Sequence, residues 1–148
     1  MTVSGMFAGF TERQRDFLAE PRYGTVATIR PDGTPMLFTL WYDLDGDDIW
    51  FITGPGSAKI RQIERDPRVA FHVVDPKGAP YFAANGIATV TYDDTGEKRL
   101  HMATRYRGPE GGRHYVEQNP AKGPTAVVRI RIERTNNMGL QQRTSRGE

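Results

Sequence analysis

The chain has 148 residues, 37% of them hydrophobic and 26% charged, with a formal net charge of only +2 at pH 7. A disordered chain has few aromatic residues and a large net charge, whereas Phe, Trp and Tyr make up 10% of this sequence, so one folded domain is expected. The sequence contains no cysteine, which excludes a disulfide scaffold, a thiolate metal site and a cysteine nucleophile.

The apolar runs and the charge distribution limit the expected partners. No apolar run is long enough to span a bilayer, and the first residues lack the layout of a signal peptide, so we expect a cytoplasmic protein with no membrane partner. The surplus of basic residues lies in residues 129–148 rather than in a stripe over the body. A nucleic-acid binder usually carries such a stripe with interleaved aromatic residues, so nucleic acid is not an expected partner.

The first third of the chain predicts one helix followed by three strands. Residues 11–20 form an amphipathic pattern that Thr11 can cap and that ends at Glu20-Pro21, because the residue before proline avoids the α region. The period then changes to two, and turn sequences at Pro31-Asp32-Gly33 and Asp45-Gly46-Asp47 follow. These signals predict an antiparallel meander of three strands: residues 23–29, 36–44 and 49–53.

The strand predicted for residues 36–44 is apolar on both faces. Its side chains are Met36, Phe38, Leu40, Tyr42 and Leu44 on one face, and Leu37, Thr39 and Trp41 on the other. Such a strand is buried on both sides or forms an interface. The surplus of apolar surface predicts a homodimer whose interface buries on the order of 2,000 Å².

The remaining two thirds alternate between helices and strands. Ser57 can cap a helix that ends at Asp66-Pro67, and a second helix is expected from Asp94 to about Arg107, ended by Gly108-Pro109. Gly86 predicts a bulge or bend in its strand. The other predicted segments are strands at residues 69–73, 81–92 and 127–134, and a flexible tail at residues 136–148.

The order of these elements predicts the fold class. About six strands with short turns and a few helices favour a small antiparallel β-barrel in a mainly β, α+β domain that spans residues 1–148. Crossover helices between successive strands are missing from the pattern, which argues against a doubly wound parallel sheet.

The sequence shows no recognisable catalytic set. Ser57 is the one serine outside the tails and has no nucleophile-elbow sequence around it. The three histidines, His72, His101 and His114, do not show paired ligand spacing, so no metal site is expected. The catalytic residues therefore stay unknown at this level.

One segment has the features of an anion site. Gly54-Pro55-Gly56 lies directly before a predicted helix start, where backbone N–H groups are unpaired and the helix dipole adds positive potential. Ser57 and Lys59 would lie in the first turn, with Arg61 beyond them, an arrangement that can hold a phosphate. The alternative is an ordinary helix cap followed by solvated basic residues.

Residues 24–75, together with the strand at residues 81–90, resemble the flavin/deazaflavin oxidoreductase superfamily, which has the split β-barrel fold of pyridoxamine 5′-phosphate oxidase. The most specific part is the helix SAKIRQIERDPRV, and the D-G-x-P turn at residues 32–35 also matches. Arg105-Tyr106-Arg107 and the closing strand VVRIRIER resemble the F420-binding actinobacterial branch. The resemblance implies a six-stranded antiparallel split β-barrel of the FMN-binding type.

The resemblance also implies where a cofactor lies. It implies a homodimer with two cofactor sites across its interface, in which Lys59 holds the cofactor phosphate with the help of Ser57 and Arg61. The cofactor ring would lie near Ala27, Thr28, Met36, Thr39, Ile52 and Thr53, and the facing subunit would contribute residues near Tyr81. Arg105 and Tyr106 are the candidate substrate residues.

The function implied is hydride transfer from reduced F420 to a small planar acceptor that is conjugated, quinone-like or a biliverdin-like tetrapyrrole. Because the cofactor carries this chemistry, no catalytic triad or metal cluster is needed. The alternatives are an FMN-dependent oxidoreductase like pyridoxamine phosphate oxidase, a protein that binds F420 or flavin without turnover, and a structural dimer with an empty groove.

Overall fold

The computed structural model describes residues 6–140. In this part of the chain it has three helices and seven strands, in the order α1 (Glu12–Ala19), β1 (Gly24–Ile29), β2 (Pro35–Leu40), β3 (Asp43–Asp45), β4 (Asp48–Thr53), α2 (Ala58–Arg65), β5 (Arg68–Val74), β6 (Tyr81–Asp93), α3 (Glu97–Gln118) and β7 (Thr125–Met138).

The strands form one antiparallel sheet in the order β2-β1-β5-β6-β7-β4-β3. The two edge strands, β2 and β3, follow each other in the chain and are separated only by Trp41 and Tyr42. Two residues can bridge only a short distance, so β2 and β3 must lie close together in space. Because these strands are the opposite edges of the sheet, the sheet must curl. The α+β split barrel expected from the sequence is confirmed, as a sheet that is not closed.

The number of strands was predicted as six and is seven. The segment predicted as one strand at residues 36–44 is divided into β2 and β3, which lie at opposite edges of the sheet. Apolar side chains continue to alternate through Trp41 and Tyr42, where the chain bends between β2 and β3, so the periodicity alone does not reveal this bend.

The bend between β2 and β3 also buries much of the apolar surface from which a dimer interface at residues 36–44 was predicted. Leu40 and Tyr42 are buried in the protomer's own core, and Phe38 packs against that core. Trp41 stacks on the Tyr106 ring, with 4.9 Å between the centroids and an angle of 10° between the planes. The apolar surplus is therefore used largely within one protomer.

The core lies inside the curled sheet and is closed by α2. Inward side chains alternate along the strands, and Ile60 and Ile63 of α2 pack onto them. The largest fully buried side chains of this core are Tyr42, Phe51, Phe71 and Phe82. A smaller cluster of Trp50, Met102 and Val127 lies beneath α3. The packing of Ile60 and Ile63 in the main core holds the N-terminus of α2 beside the end of β4.

Helix α3 continues past the point where the sequence predicts its end. Gly108 interrupts it with φ 79° and ψ 171°, a conformation that favours glycine, and residues 109–118 then resume the helix. The second half folds back on the first, because Gly112 packs against Thr104 and the Arg99 guanidinium donates to the Asn119 carbonyl oxygen. This second half was not predicted, since glycine pairs and proline argue against a helix.

Several local predictions are confirmed. Thr11 forms a capping box with Gln14 at the start of α1, and Ser57 caps α2. The register between β6 and β7 shifts between Asn85 and Gly86, which is the expected bulge.

The flexible tail was predicted to begin too early. Residues 136–138 continue β7, where Met138 pairs with Tyr81 at the start of β6. Leu140 is also buried in the core, and residues 141–148 of the predicted tail lie outside the described residues. None of the helices between residues 6 and 140 is long and apolar enough to cross a bilayer, and the cytoplasmic location stays a prediction.

Candidate functional site

A cleft of about 640 Å³ lies where the sheet is split. The ends of β2 and β4 form one side, and the second half of α3 with the loop before β7 forms the other. Its volume is typical of a site for a cofactor or a drug-sized ligand. The side chains that line it include Thr39, Trp41, Ile52, Thr53, Lys59, Arg99, Tyr115 and Lys122.

The N-terminus of α2 opens beside this cleft. The Ser57 hydroxyl accepts hydrogen bonds from the Ile60 backbone N–H (3.4 Å) and from the Thr53 hydroxyl (3.3 Å). Both bonds use the oxygen as acceptor, so the proton of Ser57 is left free to be donated. The cap therefore offers a hydroxyl donor as well as the positive end of the helix dipole.

Lys59 is a half-buried cation in the cleft wall. Its ammonium lies 4.2 Å from the centroid of the Phe38 ring, and no carboxylate in residues 6–140 forms an ion pair with it. Burial lowers the pKa of Lys59 from its usual value, because the charged form loses solvation. An anion bound here would restore the interaction that the ammonium lost on leaving water.

The charges around the cleft all have one sign. Lys59, Arg99 and Lys122 line it, and none of the lining residues is Asp or Glu. A cleft lined by one sign of charge raises the local concentration of ligands of the opposite sign. This donor set fits a ligand with a phosphate or another anionic group.

Arg61, the third residue of the predicted phosphate site, is used differently. Its guanidinium donates to the carbonyl oxygen of Gly56 and is exposed. It therefore stabilises the loop that precedes α2, and it is not among the residues that line the cleft.

The residues expected along the cofactor ring lie in two different places. Thr39, Ile52 and Thr53 line the cleft. Thr28 is fully buried and donates a hydrogen bond to the Gln62 side chain, which in turn donates to the Met36 sulfur at 3.4 Å. Thr28 and Met36 therefore anchor α2 to the sheet.

Ala27 and Tyr81 lie on the outer face of the sheet. Ala27 borders a shallow groove with Leu37 and His72, and the Tyr81 ring lies 5.7 Å from the His72 ring. Neither residue lines the cleft of its own protomer. A contribution of Tyr81 to the site of a facing subunit stays a prediction.

The candidate substrate residues Arg105 and Tyr106 have their polar atoms engaged with the backbone. The Arg105 guanidinium donates to carbonyl oxygens of residues 18, 19, 20 and 42 at 2.7–3.4 Å. The Tyr106 hydroxyl donates to the Arg22 carbonyl oxygen at 2.6 Å. These contacts give both side chains a structural role, and their role toward a substrate stays a prediction.

Sequence reasoning missed four residues that the fold brings to the cleft: Trp41, Arg99, Tyr115 and Lys122. Three of them lie on α3 or the loop after it, which no local pattern connects with β2 or β4. Trp41, on an apolar face of the predicted strand 36–44, lies with its ring 5.2 Å from the Tyr115 ring on the cleft wall.

Within residues 6–140 the histidines and acidic residues are not grouped as metal ligands. His101 Nε2 lies 2.6 Å from Asp43 Oδ2, an exposed pair that links α3 to β3. In the part of the chain that the structure describes, no three His, Asp or Glu side chains are grouped so that they could hold a metal ion.

A split β-barrel with a cationic cleft at its opening is thus the class of protein that the fold and the site define. A family model for pyridoxamine 5′-phosphate oxidase matches residues 10–139, and the chain therefore belongs to that family. No protein of curated function matches the chain significantly by sequence.

Solved structures extend the comparison. An F420 reductase is 30% identical, with a TM-score of 0.74 over 86% of this chain and 98% of that one. A conserved hypothetical protein from Mycobacterium tuberculosis is 27% identical, with a TM-score of 0.69 over 97% and 96%. General Stress Protein 26 from Bacillus anthracis, 15% identical with a TM-score of 0.67 over 88% and 94%, shares the fold.

Proposed function

We propose that this protein is an oxidoreductase that binds F420 in the cleft between β2 and β4 and uses it to reduce a small planar acceptor. The acceptor class is a conjugated, quinone-like or tetrapyrrole compound. The observation that carries the proposal is the half-buried, unpaired Lys59 beside the cap of α2, in a cleft lined by cations and no acid.

The residues of the chain have separate tasks in this proposal. Lys59 binds the phosphate, the Ser57 hydroxyl donates to a phosphate oxygen, and Arg61 holds the loop that shapes the site. Thr39 and Ile52 form the wall on which the ring system lies. When bound, the reduced cofactor supplies a hydride, so the protein needs only to orient donor and acceptor and to polarise the acceptor.

The similarity to an F420 reductase favours F420 over FMN, since it covers nearly the whole of that chain at 30% identity. FMN is the second candidate, because the family to which the chain belongs is that of pyridoxamine 5′-phosphate oxidase. A protein that binds either cofactor without turnover is the non-enzymatic alternative.

The test has two stages. F420 and FMN are titrated separately into the purified protein and followed by their fluorescence, and we expect saturable binding of F420 that is tighter than that of FMN. The reduced cofactor is then mixed with menadione or biliverdin, and its reoxidation is followed in the presence and absence of protein. Tighter binding of FMN than of F420 would make FMN the cofactor. Cofactor binding without faster reoxidation indicates a protein that carries the cofactor without turnover. A protein that binds neither F420 nor FMN contradicts the proposal.

The homodimer is proposed on the outward face of the sheet, which includes Leu37 and Thr39 of the predicted strand 36–44 and Tyr81, but not the inward face of that strand. The outward face of β2, β1, β5 and the start of β6 carries no Asp, Glu, Lys or Arg at its centre, where Thr25, Ala27, Ala70, His72 and Ala83 lie. Leu37 on this face is 69% exposed. An uncharged sheet face with an exposed leucine at its edge strand is suited to a second copy of the same face.

This face is continuous with the cleft. Thr39 lies on the same side of β2 as Leu37 and also lines the cleft, so a subunit seated on the outer face would reach the cleft's edge. That geometry supports a cofactor site completed by the facing subunit, with Tyr81 on the contacting surface.

A further inference from the structure

Two tyrosines of α3 differ in how their hydroxyl groups are used. The Tyr106 hydroxyl donates to the Arg22 carbonyl oxygen and accepts from the Tyr42 N–H at 3.0 Å. Tyr115, in the second half of the helix, is half-buried and lines the cleft, and its hydroxyl forms no hydrogen bond with any residue from 6 to 140. The hydroxyl is therefore open to the cleft and is available to a ligand.

The ring of Tyr115 is held in place by its neighbours. The Trp41 ring lies 5.2 Å away at an angle of 52°, and the Arg107 guanidinium lies 5.3 Å from the Tyr115 centroid and 5.5 Å from the Trp41 centroid. Trp41 is itself stacked on Tyr106. These contacts fix the position of the phenol before a ligand arrives, which reduces the entropy lost on binding.

The other hydroxyl groups of the cleft are less suited to a ligand oxygen. The Thr53 hydroxyl donates to Ser57, Thr125 is buried, and Thr39 lies on β2, in the wall opposite α3. A phenol is also a stronger hydrogen-bond donor than an aliphatic hydroxyl. Tyr115 is therefore the best-placed neutral donor on the α3 wall, while the cations of the cleft serve anionic groups.

We propose that Tyr115 binds the acceptor by donating a hydrogen bond to its carbonyl oxygen, and that the acceptor is quinone-like. This inference rests on the proposed function. In the balanced reaction the quinone gains a hydride from the reduced cofactor and a proton from water and becomes the hydroquinone, while Tyr115 keeps its own proton. Its hydrogen bond stabilises the negative charge that develops on the oxygen during the transfer.

The test measures binding of menadione to the full-length protein without cofactor, by quenching of tryptophan fluorescence. The chain has no cysteine, so the quinone has no thiol to alkylate. Tyr115→Phe removes one oxygen atom and is compared with Tyr92→Phe, which alters an exposed tyrosine outside the cleft. We expect Tyr115→Phe to bind menadione about two- to tenfold more weakly and Tyr92→Phe to match the wild type.

A second ligand isolates the hydrogen bond. 2-Methylnaphthalene has the shape of menadione without its oxygens, so wild type and Tyr115→Phe are expected to bind it equally. Equal loss for both ligands means that Tyr115 acts through packing alone, and that result overturns the inference. Equal menadione affinity in both proteins, or no menadione binding to the wild type, overturns it as well.

Titration of F420 and FMN into the same variants separates this inference from the proposed function. Unchanged cofactor affinity in Tyr115→Phe, together with weaker menadione binding, supports an acceptor role. Weaker cofactor binding in Tyr115→Phe assigns the residue to the cofactor instead and overturns the inference. A wild type that binds neither cofactor contradicts the proposed function, whatever the menadione result.

Discussion

The Tyr106 hydroxyl of α3 donates a hydrogen bond to the backbone carbonyl oxygen of Arg22, 2.6 Å away, just before β1 begins. The same hydroxyl accepts from the Tyr42 N–H at the corner between β2 and β3. One side chain thereby connects α3 to the start of β1 and to the bend between β2 and β3. Burial raises the pKa of Tyr106, so the hydroxyl keeps its proton at neutral pH and the bond persists.

Tyr106→Phe should therefore lower the stability of the fold. The change leaves the Arg22 carbonyl and the Tyr42 N–H without this partner, which costs about 1–3 kcal/mol. Chemical denaturation followed by tryptophan fluorescence measures the loss. Tyr92→Phe, at an exposed position, is the control and should unfold like the wild type. A Tyr106→Phe protein of unchanged stability would show that these hydrogen bonds are not needed to hold the corner.

Lys59→Ala should weaken cofactor binding. A charge-assisted contact to phosphate contributes roughly 1.5–3 kcal/mol, which corresponds to about a 10- to 100-fold loss of affinity. Lys59→Glu should be worse, because it places a negative charge beside the phosphate. The matched control is Lys77→Glu, an exposed residue outside the cleft. If Lys59→Glu binds the cofactor as tightly as the wild type does, Ser57 is only a helix cap and Lys59 only a wall residue.

Cofactor affinity should depend on pH through Lys59. Burial lowers the pKa of this residue in the free protein, so its charge is lost as the pH rises toward 10.5, earlier than for a solvated lysine. The advantage of wild type over Lys59→Ala should shrink over that range, while Arg99 stays charged. The affinities of wild type and Lys59→Ala are compared at each pH, because titration of the ligand and of Lys122 affects both proteins alike. A constant ratio of the two affinities would place the bound phosphate away from Lys59.

Gly112→Ala should destabilise the second half of α3. An added Cβ would lie 2.7–2.8 Å from atoms of Thr104, two of them backbone atoms that cannot move away easily. Overpacking costs about 1–3 kcal/mol and outweighs the helix propensity of about 1 kcal/mol that alanine gains. Gly54→Ala, whose Cβ would meet nothing within 4 Å, is the control in thermal melts. Equal melting temperatures would mean that the two halves of α3 separate readily.

Leu37→Glu should convert the proposed dimer to monomers. It places a charge on the uncharged outer face of the sheet, where burial in an interface would leave that charge without a partner. Light scattering coupled to size exclusion gives the mass of the wild type, of this variant and of Leu100→Glu, which alters an exposed apolar residue of α3. A monomeric wild type, or a Leu37→Glu protein that stays dimeric, would refute this interface.

Features that depend on neighbours along the chain could be predicted from the sequence. The caps at Thr11 and Ser57 and the bulge at Gly86 follow from side chains or backbone freedom within a few residues. Strand alternation placed the buried face of β7, and the loop before Ser57 indicated an anion site. The resemblance carried by residues 24–75 supplied the split barrel, because it rests on a motif rather than on a contact.

Features that depend on distant contacts were decided only by the tertiary structure. The bend at Trp41 and Tyr42 follows from the positions of β2 and β3 at opposite sheet edges, which alternation does not encode. Folding α3 back on itself brings Tyr115 to the cleft and commits Tyr106 to the backbone. The identity of a side chain determines which hydrogen bonds it can donate or accept. Whether its polar group bonds to the protein itself or stays available to a ligand depends on which groups the folded chain places beside it.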